Sequence, residues 1–221
     1  MERIKVDLHT HTRVSFDAWT SPRAYVERAA AAGMGAMAVT DHGTIEGALR
    51  VRDLDPPFQV IVGEEVVTRQ GEIVGLFLDG PVPPGRSVEE TCDHVHARGG
   101  LVMVSHPFAA TAIDRLNAAG RERIVGRVDL VETLNARNPS AASDRKAAGW
   151  ARAIGAVPAA NSDAHTPREL GRAYQLVRPF DGPQDFLAAL RDGSLVLERR
   201  TFLGLSILVA FAGAIRSGRI R

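Results

Sequence analysis

Short apolar runs recur along the chain, and each gives way to polar residues before the next helix begins. Ile4-Lys5-Val6-Asp7-Leu8 reads as a first strand. Ser21-Pro22 supplies an N-cap with proline at the first helical position, and the Ala-rich run to Ala32 stops at Gly33, which bounds a helix. Gly35–Thr40 is a buried strand, Thr44–Leu54 a second helix, and Phe58–Val62 a third strand ending at Gly63-Glu64-Glu65. Val66-Val67-Thr68 and Glu72–Leu78, separated by Arg69-Gln70-Gly71, have the pattern of a hairpin. Ser87 with Glu90 forms a capping box for a helix running to about Arg98. Leu101–Val104 and Val128–Leu134 are further strands, Ser140–Ile154 a helix, and Val157–Ala160 a strand running into Asn161-Ser162-Asp163-Ala164-His165. Strand, polar strand end, helix and return is the rhythm of an α/β barrel, which gathers such ends on one face.

The final stretch departs from this rhythm. Residues 202–215 are apolar and flanked by Arg199, Arg200, Arg216, Arg219 and Arg221, so the chain divides into a domain over 1–198 and an apolar, Arg-flanked helical extension over 199–221. Fourteen residues fall short of the ~20 that span a bilayer, which favours a docked helix or a homo-oligomer contact over a membrane anchor, with a surface-lying membrane helix as the remaining alternative.

Composition narrows the partners. A formal charge of +1 gives no ground for a general attraction to nucleic acid or membrane. The single Cys92, placed on an apolar helix face, excludes a disulfide framework, and no signal peptide is evident at the N-terminus, so a cytoplasmic location is expected.

The chemistry lies in what the strand ends carry. His9 and His11 stand at i and i+2, so on a strand their imidazoles face one side and can meet on one cation. Downstream come Asp17, His42, Glu65, His106, Asp163 and His165, each near an apolar run. Five of the seven histidines fall in this set, which is hard to explain as separate accidents. So many ionisable groups on one face would be costly unless divalent cations neutralised them, and imidazole with carboxylate suits Mn, Fe or Zn. His94 and His96, two apart on a helix, diverge and read as boundary residues.

Asp7-Leu8-His9-Thr10-His11, Thr40-Asp41-His42, Gly63-Glu64-Glu65-Val66, Ser105-His106-Pro107 and Ser162-Asp163-Ala164-His165, in this order, resemble the motifs of the PHP family, the polymerase and histidinol phosphatase superfamily. The likeness covers about residues 3–190. It implies a distorted seven-stranded β/α barrel and a phosphoesterase with two or three divalent metal ions. By that resemblance His9, His11, Glu65 and Asp163 match ligands of a first metal, and Asp17, His42 and His165 those of a second. Glu65 and His106 match ligands of a third. The remaining third-metal position departs from the family pattern, with Glu72 preferred over Asn135 or Asn138. Glu64, on the opposite strand face, reads as structural, and Asp41 as a residue that orients a ligand.

A small phosphorylated substrate, such as a nucleotide or sugar phosphate, is the expected partner. Arg137, and less favourably Arg13, are candidates for gripping phosphate oxygens by forked hydrogen bonds. Two rival readings stand beside this one. An amidohydrolase also begins with His-x-His, but many dinuclear members use a bridging lysine, and no lysine lies between His42 and His106. The other rival is a metal-stabilised module without turnover that serves a partner protein.

Overall fold

The computed structural model describes residues 2–110, 112, 114–201, 204, 212, 213 and 215. Nine strands form one sheet in the order β7-β6-β5-β4-β3-β2-β1-β8-β9. The strands are β1 (Ile4–Asp7), β2 (Met34–Val39), β3 (Gln59–Thr68), β4 (Gly71–Leu76), β5 (Leu101–Val104), β6 (Leu130–Asn135), β7 (Val157–Asn161), β8 (Ala173–Val177) and β9 (Ser194–Leu197). The helices are α1 (Pro22–Ala31), α2 (Glu46–Arg52), α3 (Val88–His96), α4 (Ala118–Arg123), α5 (Ala141–Ile154) and α6 (Gly182–Arg191). Strands β1, β2 and β3 are mutually parallel, as are β5, β6 and β7, while β4 is antiparallel to both of its neighbours.

The α/β architecture agrees with the sequence pattern, but the strand count is nine where seven were expected. The two extra strands are an antiparallel C-terminal pair connected through α6: β8 adds antiparallel to β1, and β9 to β8. The sheet curls until β1 and β7 approach. Beyond their ends the two chains bond directly, with His11 N–H donating to Ala164 O at 2.9 Å and Asp163 N–H to His9 O at 2.9 Å. Lower down, the seam is filled by a buried side chain. Gln175 of β8 accepts from Ala160 N–H at 2.6 Å and donates to Asn161 Oδ1 at 3.1 Å, and Asn161 Oδ1 also accepts from Leu8 N–H at 3.0 Å. An unpaired backbone group buried at this seam would cost about 1–3 kcal/mol, so the amide stands in for a missing ladder.

Local rules explain the element ends. Ser21 caps α1 by accepting from Ala24 N–H at 3.3 Å, and Pro22 occupies the first turn. Ser87 and Glu90 form the full capping box of α3. The expected break after Val62 is absent, because β3 continues through Gly63, Glu64 and Glu65 and pairs with β4 from Gly63 to Thr68. Glu64 and Glu65 therefore point to opposite faces from mid-strand. Glu64 turns away from the histidines, accepts from Val82 N–H at 3.0 Å, and is pushed by burial up to about 7. Gly47 at the start of α2 is dictated by packing, since a Cβ there would fall 1.8 Å from Asp41 Oδ2.

Apolar clusters hold the strand ends in place. Val6, Leu8, Ile61, Leu76, Met103 and Leu130 pack with Phe186, Leu187 and Leu190 of α6. Tyr25 and Ala29 of α1 and Ala48 and Val51 of α2 cover Met37 and Val39 of β2. Val88, Cys92 and Val95 of α3 cover Val102 and Val104 of β5. Burial raises the Cys92 thiol to about 12, so it acts as a small apolar residue.

Most of the expected C-terminal helix over 199–221 lies outside the described residues. Of those described, 204, 212, 213 and 215 are helical, and Gly213 lies against the loop that carries Asp17, where a Cβ would come within 2.5 Å of Asp17 Cα. Among the described residues, no helix is long and apolar enough to cross a membrane.

Two outcomes are expected from this packing. Phe186, fully buried, touches the rings of Phe77 and Phe180, and Phe186→Ala should cost about 3–5 kcal/mol in a denaturant titration. Glu64 has a folded pKa raised above its ordinary value of 4.5, so its contribution to stability falls as pH rises from 4.5 towards 7, by on the order of 1 kcal/mol per pH unit. Glu64→Gln should remove that fall, read as the pH dependence of the urea midpoint; identical slopes for the two proteins would show that burial does not govern this carboxyl.

Candidate metal centre

Imidazoles and carboxylates from five parts of the chain meet where the parallel strands end. His9 and His11 lie just past β1, on the extended segment bonded to 163–164, rather than within the strand itself. Asp41 and His42 follow β2, and the backbone of this turn is pinned to β3 by Glu65 N–H to Asp41 O at 3.2 Å and Gly43 N–H to Glu65 O at 2.9 Å. Ser105 and His106 follow β5; Asp163 and His165 follow β7. His106 and Asp163 both adopt left-handed backbone angles, with φ of 29° and 51°. Such conformations in non-glycine residues persist only where surroundings over-determine them, and here neighbouring hydrogen bonds do so. His106 N–H donates to Glu132 Oε2 at 2.7 Å, and Asp163 N–H to His9 O.

The hydrogen bonds around each ring decide which nitrogen faces inward. His9 Nδ1 lies 3.2 Å from Glu132 Oε1, a carboxylate that can only accept, so Nδ1 carries a proton and Nε2 is the atom turned towards Glu65 Oε2, 3.1 Å away. His165 Nδ1 donates in the same way to Asp163 O at 3.0 Å. Ser15 gives its hydroxyl proton to Asp41 Oδ1 at 2.6 Å, which leaves its oxygen to accept from His11 Nδ1 at 3.3 Å. All three rings thus turn Nε2 towards the cluster, and the Nε2 atoms of His9 and His11 stand 3.1 Å apart.

Around that pair the acids close in. Glu65 Oε2 is 3.1 Å from His9 Nε2 and 3.5 Å from His11 Nε2. Asp163 Oδ1 is 3.8 Å and 3.5 Å from the same two atoms. Asp17 Oδ2 lies 3.2 Å from His165 Nε2 and 3.5 Å from His42 Nε2. His106 Nε2 is 3.5 Å from Glu65 Oε1, and His42 Nδ1 is 3.4 Å from both Glu65 Oε2 and Glu72 Oε1. Donor atoms lie within 4.8 Å of one another in four groups: His9-His11-Asp163, His11-His42-His165, His9-Glu65-His106 and His42-Glu65-Glu72.

Electrostatics inside the cluster follow from this crowding. Burial opposes ionisation of Glu65 and Asp163, but His9 and the other rings outweigh it and hold both carboxyls well below their usual range. Burial also opposes the charge on Asp17, and His165 and His42 overcome it. His11 is pushed down to about 3 by burial and by the neighbouring rings of His165 and His42. Asp7, buried beneath, rises to about 7 because desolvation outweighs its bonds from Ser162 and His9.

The donor set fits divalent cations. Two imidazole lone pairs facing each other at 3.1 Å repel unless a proton or a cation lies between them. His42 Nδ1, His106 Nδ1 and Asp17 Oδ1 are buried with no hydrogen-bond partner among the described residues. Neutral imidazole nitrogens mixed with carboxylate oxygens are the ligands of Zn, Mn and Fe.

Not every expected residue joins the cluster equally. Arg137 is half-buried, with Nη1 3.9 Å from Asp163 Oδ1. Arg13 is exposed, and among the described residues no bond ties its side chain to the cluster. Glu72 approaches His42 and Glu65, so it sits on a different side from the pairing with His106 that was expected. Asn135 and Asn138 are committed elsewhere: Asn135 donates to Glu132 and Asp163, and Asn138 bonds Ser140 and Asp144. Asp41 touches no ligand ring directly. It accepts from Thr12 N–H, Thr12 Oγ1 and Ser15 Oγ, and orients His11 through Ser15.

The sequence reading gave no role to the residue with the widest reach, Glu132. Fully buried on β6, it accepts from His9 Nδ1, His106 N–H, Asn135 Nδ2 and Asn161 Nδ2. One local signal was available, a lone carboxylate in the apolar run Leu130-Val131-Glu132-Thr133-Leu134.

Residues 7–67 match the model of the PHP domain, and residues 142–195 that of a PHP-associated region. An uncharacterized protein of Methanocaldococcus jannaschii is 30% identical over 198 residues, which cover 85% of this chain and 79% of that protein. A protein of Enterobacter named as a probable phosphatase is 25% identical over 207 residues, covering 80% and 84% of the two chains. Among solved structures, a two-domain protein from Bacteroides vulgatus containing a predicted PHP-like metal-dependent phosphoesterase superposes with a TM-score of 0.73 at 17% identity. That alignment covers 89% of this chain and 65% of the Bacteroides chain, so the likeness is one of fold, and this chain spans about two thirds of that protein's length. The ligand motifs, the matching models and the Methanocaldococcus relative together place this chain in the PHP family.

Proposed function

We propose that the protein is a metal-dependent phosphoesterase acting on a small phosphorylated substrate such as a nucleotide or sugar phosphate. The observation that carries this reading is the convergence of inward-facing Nε2 atoms from His9, His11 and His165 on the carboxylates of Glu65, Asp163 and Asp17. His9, His11, Glu65 and Asp163 would hold a first divalent ion, and Asp17, His42 and His165 a second. Space for a third lies beside Glu65, either with His9 and His106 or with His42 and Glu72. When bound, such ions supply a water acidic enough to attack phosphorus near neutral pH and positive charge for the oxygens of an in-line displacement.

The chain's own residues do the rest. Glu132 fixes the tautomer and angle of His9, and its bond to His106 N–H sets the backbone that carries that ring. Asp41, through Ser15, does the same for His11. Arg137, half-buried beside Asp163, offers a guanidinium to non-bridging phosphate oxygens at the edge of the cluster. Arg13, exposed in the first loop, is a secondary candidate for the same task. The similarity to the Enterobacter protein named as a probable phosphatase supports the reaction class.

The direct test is metal content of the purified protein alongside phosphate release from a panel of nucleotides and sugar phosphates. Two or more bound Mn, Fe or Zn per chain with chelator-sensitive release is expected, and bound metal without release from any ester would contradict the reading. His9→Ala should abolish metal retention at the first site together with activity. Glu132→Gln removes the charge but keeps the shape, and should weaken metal affinity by about 10–100-fold, read by competition with a chromogenic chelator. Unchanged affinity in that variant would show that Glu132 only fills space.

A further inference from the structure

Beside the metal centre lies a second feature that the proposed reaction does not use. A cleft of 370 Å³ opens next to His106, lined by Pro107, Phe108, Arg115, Arg121 and Lys146 among others. Its walls are attached directly to the site. Pro107 follows His106 in the chain, and Arg121 Nη1 donates to Pro107 O at 3.1 Å. Arg115 lies where the loop bridges Glu72 of β4, with Glu72 N–H donating to Asp114 O at 2.8 Å. The cleft is thus joined to the cluster by the chain at His106-Pro107 and by the backbone of Glu72.

The cleft is positively charged and unneutralised. Several arginines elsewhere take acidic partners, Arg69 with Glu90, Arg98 with Asp79, Arg123 with Glu89, Arg127 with Asp93 and Arg178 with Asp185, while others such as Arg3 and Arg28 bond backbone carbonyls. Among the described residues, no ion pair is made by Arg115, Arg121 or Lys146, although three cationic side chains line one small volume. Glu122 acts on Arg121 only through space, and burial followed by the charge of Arg115 lowers the Arg121 pKa.

The arginine head is also held in position. Its guanidinium lies over the Phe108 ring at 4.6 Å, and Trp150 braces that ring edge-on at 6.2 Å. Nη1 is occupied by the carbonyls of Pro107 and Leu116 at 3.1 and 2.5 Å, which leaves Nε and Nη2 as donors. A pre-positioned guanidinium with a second arginine and a lysine near it is an arrangement that recognises an oxyanion.

We propose that this cleft receives a second anionic group of the substrate, so that the preferred esters carry a phosphate or carboxylate at the end remote from the reacting phosphorus. This rests on the phosphoesterase reading and narrows its substrate class to doubly anionic compounds. Two charge-assisted contacts should give such substrates about a tenfold or greater advantage over a singly phosphorylated analogue.

The test uses the metal-loaded protein and three matched series over several chain lengths: alkyl monophosphates, ω-carboxyalkyl phosphates and alkanediol bisphosphates. Binding is read by calorimetry and hydrolysis by phosphate release. At one or more chain lengths, an anion-terminated series should bind and turn over at least about tenfold better than the alkyl series. The ratio should fall at least about threefold in Arg115→Ala/Lys146→Ala, which keeps Arg121, whereas Arg123→Ala, at an exposed arginine paired with Glu89, should leave it unchanged. No preference at any length, or a preference undiminished in the double variant, overturns the subsite. A calorimetric preference diminished in the double variant, with no hydrolysis of any ester, would uphold the subsite while the phosphoesterase reading fell.

Discussion

Two ring nitrogens 3.1 Å apart, both turned inward by the bonds behind their rings, set the terms for everything around them. That contact is unfavourable in isolation, and the chain goes to some length to impose it. Glu132 holds one ring from behind and the Ser15-Asp41 pair holds the other. The cost of keeping these charged and polar groups buried is met by saturating their outer sides: Asp41 accepts three hydrogen bonds, and Glu132 four. Within the cluster His42 Nδ1 lacks a hydrogen bond among the described residues, although Glu65 and Glu72 oxygens stand 3.4 Å away. Rings fixed from behind around clustered acids are the form expected of a site built for cations.

The barrel serves this arrangement by bringing distant segments to one rim. His9 and Asp163 are joined by the backbone bond that closes β1 onto β7, so the strand seam and the metal centre are one structure. Gln175 completes the lower part of the same seam, and Gly47 lets α2 approach close to the Asp41 carboxylate. The left-handed angles at His106 and Asp163 lie at the rim, where the chain must turn sharply and still present a side chain inward. Gly213 extends the argument to the C-terminal segment, which meets the backbone of the loop bearing Asp17.

Much of this was legible in the sequence, and for a physical reason. Candidate metal ligands are few in kind and sit beside strand ends, so His9, His11, His42, His106, Asp163 and His165, which the fold brings together, stand out locally. Capping rules likewise placed α1 and α3 within a residue or two at their N-terminal ends. The failures are non-local. β3 was expected to stop at Gly63, because glycine followed by two acids resembles a strand end, yet pairing with β4 carries the strand through. The antiparallel β8–β9 pair, whose partner is the first strand, raised the count to nine. Glu132 acts on a histidine 123 residues away, and nothing in its own neighbourhood says so. Arg137 was preferred to Arg13 for its place just beyond a strand end, and the fold sets Arg137 beside Asp163 while Arg13 is exposed.

The central claim is that cations, not protons, reconcile the inward-facing rings. Crystals grown with Mn²⁺ or Zn²⁺, with anomalous difference maps collected at the metal edge, test it most directly. The account predicts a peak about 2.0–2.2 Å from Nε2 of both His9 and His11, with Glu65 and Asp163 oxygens in its coordination shell, and a second peak among Asp17, His42 and His165. Rings rotated to present Nδ1, or well-ordered rings with no anomalous density between them at saturating metal, would contradict it.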